Sequence, residues 1–144
     1  MREIRTEAVI DASPERVWRE LTDLESYPGW NPFIAEASGV IEDGNRLKLR
    51  MTPPGGRAMS FKPRVTKSDP ARELRWLGHL GVRGVFDGEH YFQLEELPDG
   101  QTHLLHGEKF TGITVGLFGG MLEKTERGFG QLNEALRERC EGGS

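Results

Sequence analysis

The sequence predicts an α+β domain in which one curved, seven-stranded antiparallel sheet wraps around a long C-terminal helix, with two short helices after the first strand. Three observations carry this. Phe118, Met121, Leu122, Thr125, Phe129, Leu132 and Leu136, closed by Cys140, recur at steps of three and four, the spacing of one helix face. Glu123, Lys124, Glu126, Arg127, Gln131, Asn133, Glu134, Arg137 and Glu138 fall between them as a solvent face. Most of the preceding chain alternates with period two, which reads as strand. Glycines stand within and between those strands (Gly39, Gly44, Gly78, Gly81, Gly84, Gly88, Gly107 and Gly112), where a sheet that curls needs bends and bulges. A lone amphipathic helix cannot bury its stripe, so the sheet must cover it.

The elements follow in order. Ile4, Thr6, Ala8 and Ile10 alternate with charged residues and make a half-buried first strand. Ser13-Pro14-Glu15 supplies an N-cap, a proline for the first helical position and an acid in the first turn. Val17, Trp18 and Leu21 form that helix's apolar side. Thr22-Asp23 opens a second short helix over Leu24 to Tyr27, which Pro28-Gly29 stops. A second strand is expected over roughly Ile34 to Ile41, then a turn at Glu42-Asp43-Gly44-Asn45. Leu47, Leu49 and Met51 carry the inward parity of the third strand; Pro53-Pro54-Gly55-Gly56 is a breaker and loop. Met59, Phe61, Pro63 and Val65 face inward on the fourth, with Pro63 marking an edge or bulge. Leu74 and Trp76 mark the fifth, which fades into Gly78 to Gly84. The sixth runs from about Val85 to Glu96 and the seventh from Thr102 to Phe110, joined at Pro98-Asp99-Gly100.

The bulk numbers narrow the function classes. A chain of 144 residues suits one domain, 1–144, with a real core. The net charge is 19 − 23 = −4 with no basic patch, which argues against nucleic acid. The lone Cys140 leaves no intramolecular disulfide and reads as a small buried helix residue. The charged N-terminal decad is no signal peptide, and no run approaches the ~18 apolar residues of a membrane span. The expectation is a cytoplasmic monomer or homodimer with no integral membrane association.

Three stretches carry a family resemblance: Ile10-Asp11-Ala12-Ser13-Pro14-Glu15-Arg16-Val17-Trp18, Tyr27-Pro28-Gly29-Trp30-Asn31-Pro32-Phe33, and His90 to Gly112 with Leu97-Pro98-Asp99-Gly100 and His106-Gly107-Glu108. With the element order, they resemble the helix-grip fold of the START/birch-pollen-allergen superfamily. Within it, the chain is similar to the bacterial polyketide cyclase/dehydrase-like (SRPBCC) proteins. The resemblance implies a cavity between sheet and long helix for an apolar small molecule, such as a lipid or an aromatic polyketide, and no cofactor. It leaves three functions open, because fold does not fix function: ligand carriage or sensing, an aromatase/cyclase-type enzyme, and a protein-interaction module of the chaperone-activator type.

On the inward sheet face only His90, His106 and Glu108 break the apolar pattern. If Glu96 opposes Thr102, then Leu94 faces Leu104, Phe92 faces His106 and His90 faces Glu108. A histidine opposite a carboxylate on an apolar wall is a candidate acid/base pair, or a satisfied polar pair that fixes register. The expected ligand lining is Trp30, Leu49, Met51, Met59, Phe61, Trp76, Phe86, His90, Phe92, Leu104, His106, Glu108, Phe110, Phe118, Leu122 and Phe129. His79 and His103 fall on the outward parity. The histidine spacing and the single cysteine give no metal motif. Thr111 to Gly120 reads either as a lid, with Ile113, Leu117 and Phe118 closing over a ligand, or as a plain bend.

Overall fold

A computed structural model of the chain describes residues 1–79, 82–117 and 119–142. The chain opens with strand β1, Arg2–Ile10, then helix α1, Pro14–Thr22, and a 3₁₀ turn, Leu24–Gly29. Ser13 caps α1 by accepting a hydrogen bond from the Arg16 N–H (3.2 Å). Strands β2 (Ile34–Ser38), β3 (Lys48–Met51), β4 (Met59–Phe61), β5 (Arg64–Asp69), β6 (Glu73–His79), β7 (Asp87–Glu96) and β8 (Thr102–Thr111) follow. A 3₁₀ turn, Val115–Leu117, leads to the long helix α2, Gly119–Glu141.

Among the described residues, the single seven-stranded sheet is corrected to eight strands in two antiparallel sheets, ordered β1-β8-β7-β6-β5 and β2-β3-β4. The extra strand arises at Pro63, where the expected fourth strand breaks into β4 and β5. Proline has no N–H to give a ladder. Its carbonyl still accepts from Leu47 N–H (2.8 Å), and Val65 exchanges bonds with Asn45 and Gly44 (2.8 Å each). The 44–47 segment thus sutures the two sheets where the side ladder fails. The second strand also ends early, at Gly39, whose φ of +123° turns the backbone into a region that favours glycine.

Helix α2 lies in the grasp of the sheet, packed on β1, β8 and α1. Leu122, Phe129, Leu132, Leu136 and Cys140 are buried, as the three-four spacing requires. Each large apolar side chain so buried contributes about 1.5–3 kcal/mol. Gly128 is buried too, and a Cβ there would overlap the Phe33 ring, so its missing side chain lets that ring reach the helix. Asn133 corrects the expected solvent face: it is 4% exposed. An ion pair, Arg139 Nε to Glu20 Oε2 (2.7 Å), ties the end of α2 to α1. No described helix is long and apolar enough to cross a membrane.

Candidate functional site

The hairpin register follows the expected one: Glu96 opposes Thr102, Phe92 opposes His106, and His90 opposes Glu108. The inward faces of β7 and β8 therefore bring both histidines and the carboxyl together under α2. Aromatic rings enclose the histidines. His106 lies between Phe129 (centroids 4.1 Å, planes 11° apart) and Phe92 (4.3 Å), and His90 stacks on Trp76 (4.8 Å). Both imidazoles are fully buried.

The hydrogen-bonded contact is between the two histidines, not between His90 and Glu108 as the register alone suggests. His90 Nε2 lies 2.7 Å from His106 Nε2, and His106 Nδ1 lies 2.7 Å from Asn133 Oδ1. Asn133 Nδ2 donates to Thr6 Oγ1 (2.8 Å), and Thr6 Oγ1 donates to the His106 carbonyl (2.7 Å). This chain fixes every proton. The Thr6 hydroxyl has one hydrogen, given to a carbonyl, so it must accept from the Asn133 amide. The Asn133 oxygen then faces His106 Nδ1, which must carry a hydrogen. In a neutral ring His106 Nε2 is then bare and accepts from His90 Nε2–H. What remains is the His90 Nδ1 lone pair, which is buried without a hydrogen-bond partner.

That nitrogen lies 3.5 Å from Glu108 Oε1, longer than a hydrogen bond. Burial pushes the Glu108 carboxyl up to about 8 and the His90 imidazole down to about 3. Burial first, then the adjacent His90 ring, hold His106 well below the usual histidine value, against the Asn133 bond. At neutral pH the pair is an acid holding its proton beside a neutral base. Glu108 has room because Gly88 has no side chain; a Cβ there would overlap Oε2.

Glu108 opens onto a cavity of about 60 Å³ between the sheet and α2. Of the expected lining residues, Met51, Met59, Phe61, Trp76, Phe86, Glu108 and Phe110 border it. His90, Phe92, Leu104, His106, Leu122 and Phe129 are packed in the core behind that wall, and Leu49 is buried and borders a separate groove on β2-β3-β4. Trp30 lies outside the lining, bonded through Nε1 to Ser26 Oγ (3.0 Å) and edge-on to Tyr27. Phe118 lies outside the described residues.

The structure adds Phe33, Pro53, Gly78, His79, Gly88, Met121 and Thr125 to the lining. His79 corrects its outward assignment. It is the last residue of β6, held by Asp87 (Nδ1 to Oδ1, 2.7 Å), and it borders the cavity at the sheet's end. His103 does face outward, 3.6 Å from Glu7. Ile113 and Leu117 are 87% and 80% exposed while Val115 packs into the core, so the described part of the Thr111–Gly120 stretch is a bend anchored by Val115. Burial pushes the Cys140 thiol up to about 11, which keeps it inert. Among the described residues, no group of three or more His, Cys, Asp or Glu side chains could hold a metal ion.

A sheet gripping a C-terminal helix, with a largely apolar space between them, defines a helix-grip protein. The family model described as polyketide cyclase/dehydrase and lipid transport matches residues 1–141, and the chain belongs to that family. No curated protein matches the sequence. Solved structures share the fold. The Zhui aromatase/cyclase from Streptomyces sp. R1128 superposes with a TM-score of 0.78 at 20% identity, over 97% of this chain and 93% of that one. A START superfamily protein from Mycobacterium smegmatis gives 0.76 at 21%, over 99% of both chains. A protein from Thermus thermophilus gives 0.74 at 24%, again over 99% of both.

Proposed function

We propose that the protein binds a hydrophobic small molecule, for carriage or sensing, between the sheet and α2. The observation that carries this is a carboxyl group with no hydrogen-bond partner among the described residues, set in an otherwise largely apolar cavity. The Glu108 side chain keeps 13% of its exposure, so water reaches it, and a ligand's polar atom can take that water's place. A space of about 60 Å³ holds a few waters at most, whereas small-molecule sites enclose roughly 300–1,000 Å³. Binding therefore requires the walls to part. The lining suits that: Met51, Met59 and Met121 are unbranched and adaptable, and Pro53 belongs to the loop between β3 and β4.

A second reading, a cofactor-free cyclase-type enzyme, is favoured by one feature: Glu108, on the cavity wall, lies 3.5 Å from the vacant lone pair of His90 in the core behind it. The interaction-module reading gains no such support. The outer face of the larger sheet carries a charged lattice, with Arg75 bonded to Glu73 and Glu89 and Lys67 to Glu73. Native mass spectrometry of the purified protein, with organic extraction, tests the main reading. A co-purifying apolar molecule is expected, displaced by Met59→Trp, which fills the cavity. An empty protein that also fails to take up the neutral dye N-phenyl-1-naphthylamine would remove the proposal.

A further inference from the structure

We infer that Glu108 is the recognition point for a neutral, hydrogen-bond-accepting carbonyl oxygen, as of a ketone, aldehyde or ester, on the apolar ligand, and that the site discriminates against carboxylates. This rests on the reading that the cavity holds a small molecule. Three features of the wall lead to it.

The first is the supply of protons. His90 cannot donate toward the cavity, because its one hydrogen is committed through Nε2 to His106 and its Nδ1 is bare. The Thr125 hydroxyl is committed to the Met121 carbonyl (2.9 Å). Among lining side chains this leaves Glu108, the Trp76 indole N–H and the far nitrogen of His79, whose side chain keeps 28% of its exposure at the rim. Of the three, Glu108 lies deeper than His79 and is the one beside a vacant lone pair.

The second feature is charge. The ionisable groups around the Glu108 carboxyl are His90 on β7, with His106 behind it, and His79 with its Asp87 partner at the end of β6. Its register partner on β1 is Ile4, α2 contributes Met121 and Thr125, and the loops contribute Phe33 and Pro53. Among the described residues, no lysine or arginine is on the lining. A ligand carboxylate would bring a second acid into an apolar space with nothing to neutralise it. A carbonyl accepts the existing proton and adds no charge.

The third feature is the lone pair 3.5 Å from Oε1. A carboxylic acid holds its hydrogen on one oxygen and accepts on the other. His90 Nδ1 cannot donate to that second oxygen. The acid therefore has two possible acceptors, the His90 nitrogen 3.5 Å behind it and the ligand in front, and a carbonyl at hydrogen-bond distance is the better placed of the two. The raised proton affinity of Glu108 agrees with this.

Three probes on one skeleton test the inference: naphthalene, 2-acetylnaphthalene and 2-naphthoate, titrated calorimetrically at pH 6.5. Wild type should bind 2-acetylnaphthalene roughly tenfold more tightly than naphthalene, the worth of one buried hydrogen bond. It should bind 2-naphthoate no better than naphthalene. Glu108→Leu should erase the carbonyl preference while keeping naphthalene binding. Glu108→Gln, whose amide still donates, should retain most of it and lose its sensitivity to raising the pH to 9.5. Equal affinity for naphthoate and acetylnaphthalene, or a preference that survives Glu108→Leu, overturns the inference while leaving cavity binding intact. A preference abolished by His79→Phe or by Trp76→Phe would overturn it too, by naming another donor. Failure of all three probes to bind removes the cavity reading and this inference together.

Discussion

His106 and Glu108 stand two positions apart on one face of β8, yet their surroundings are opposite. Around His106 every polar atom is matched: Asn133 on α2, Thr6 on β1 and His90 on β7 close a dry chain between stacked rings. Around Glu108 no hydrogen bond is made among the described residues, and the wall is built of methionine and aromatic side chains, with none at Gly88. One half of the helix–sheet interface is a polar network satisfied at every atom but His90 Nδ1, and it rigidifies. The other half is incomplete until something enters. The difference separates what holds the grip together from what the grip can hold.

The largest expected effect breaks the first half. Asn133→Ala strands the His106 Nδ1–H and removes the donor to Thr6, and it leaves a small void. The cost should be roughly 2–4 kcal/mol in urea unfolding. Glu108→Gln, two positions from His106, should cost under about 1 kcal/mol at pH 7, since it removes no bond. Equal losses from the two variants would erase the distinction between the regions.

A smaller effect separates them by pH. Glu108 titrates near 4.5 unfolded and about 8 folded. Its contribution is full below pH 4.5 and is lost as pH rises through 8. His90 runs the other way, from 6.5 unfolded to about 3 folded. Its contribution is full above pH 6.5 and is lost as pH falls toward 3. Between 4.5 and 6.5 the two slopes oppose; between 6.5 and 8 Glu108 acts without His90. Wild type should therefore lose urea midpoint from pH 6.5 to 8.5, and Glu108→Gln should lose much less over that interval. A wild-type midpoint that is flat there would mean Glu108 is already ionised when folded.

Much of this contrast is legible in the sequence, and the gaps have physical causes. The turn at Pro98-Asp99-Gly100 and strict alternation place His90 opposite Glu108, because a two-residue period leaves one register that buries Phe92, Leu94 and Leu104. The partner His90 actually takes is not legible. Register gives the neighbour directly across, while ring rotation decides which nitrogen reaches which atom. Residue type alone puts Asn133 on the wrong side, since Phe129, Leu132, Asn133, Leu136 and Cys140 fall on one stripe at helical spacing. A polar residue on that stripe is the signal of a buried polar chain. His79 escapes its parity because alternation loses meaning at a strand's last residue, beside a cavity. The split of the sheet at Pro63 is foreshadowed by a residue that cannot donate, but the suturing by residues 44–47 depends on long-range placement.

The smallest effect disturbs nothing and only reads where two protons sit. Long-range ¹H–¹⁵N correlation of the imidazoles should show His106 protonated at Nδ1 and His90 at Nε2, both neutral from pH 5 to 8. The Thr6 hydroxyl, which has one hydrogen and two neighbours, sets this order for the whole chain. The pattern should survive Glu108→Gln, because the carboxyl is not hydrogen-bonded to the chain, and should be lost in Asn133→Ala. The opposite tautomer at His90, with the hydrogen on Nδ1, would point a donor at Glu108. Glu108 would then accept rather than donate, its ionised form would be favoured, and a ligand carbonyl would find no proton at the wall. The contrast between a closed chain and an open acid thus rests on which nitrogen of His90 carries its hydrogen.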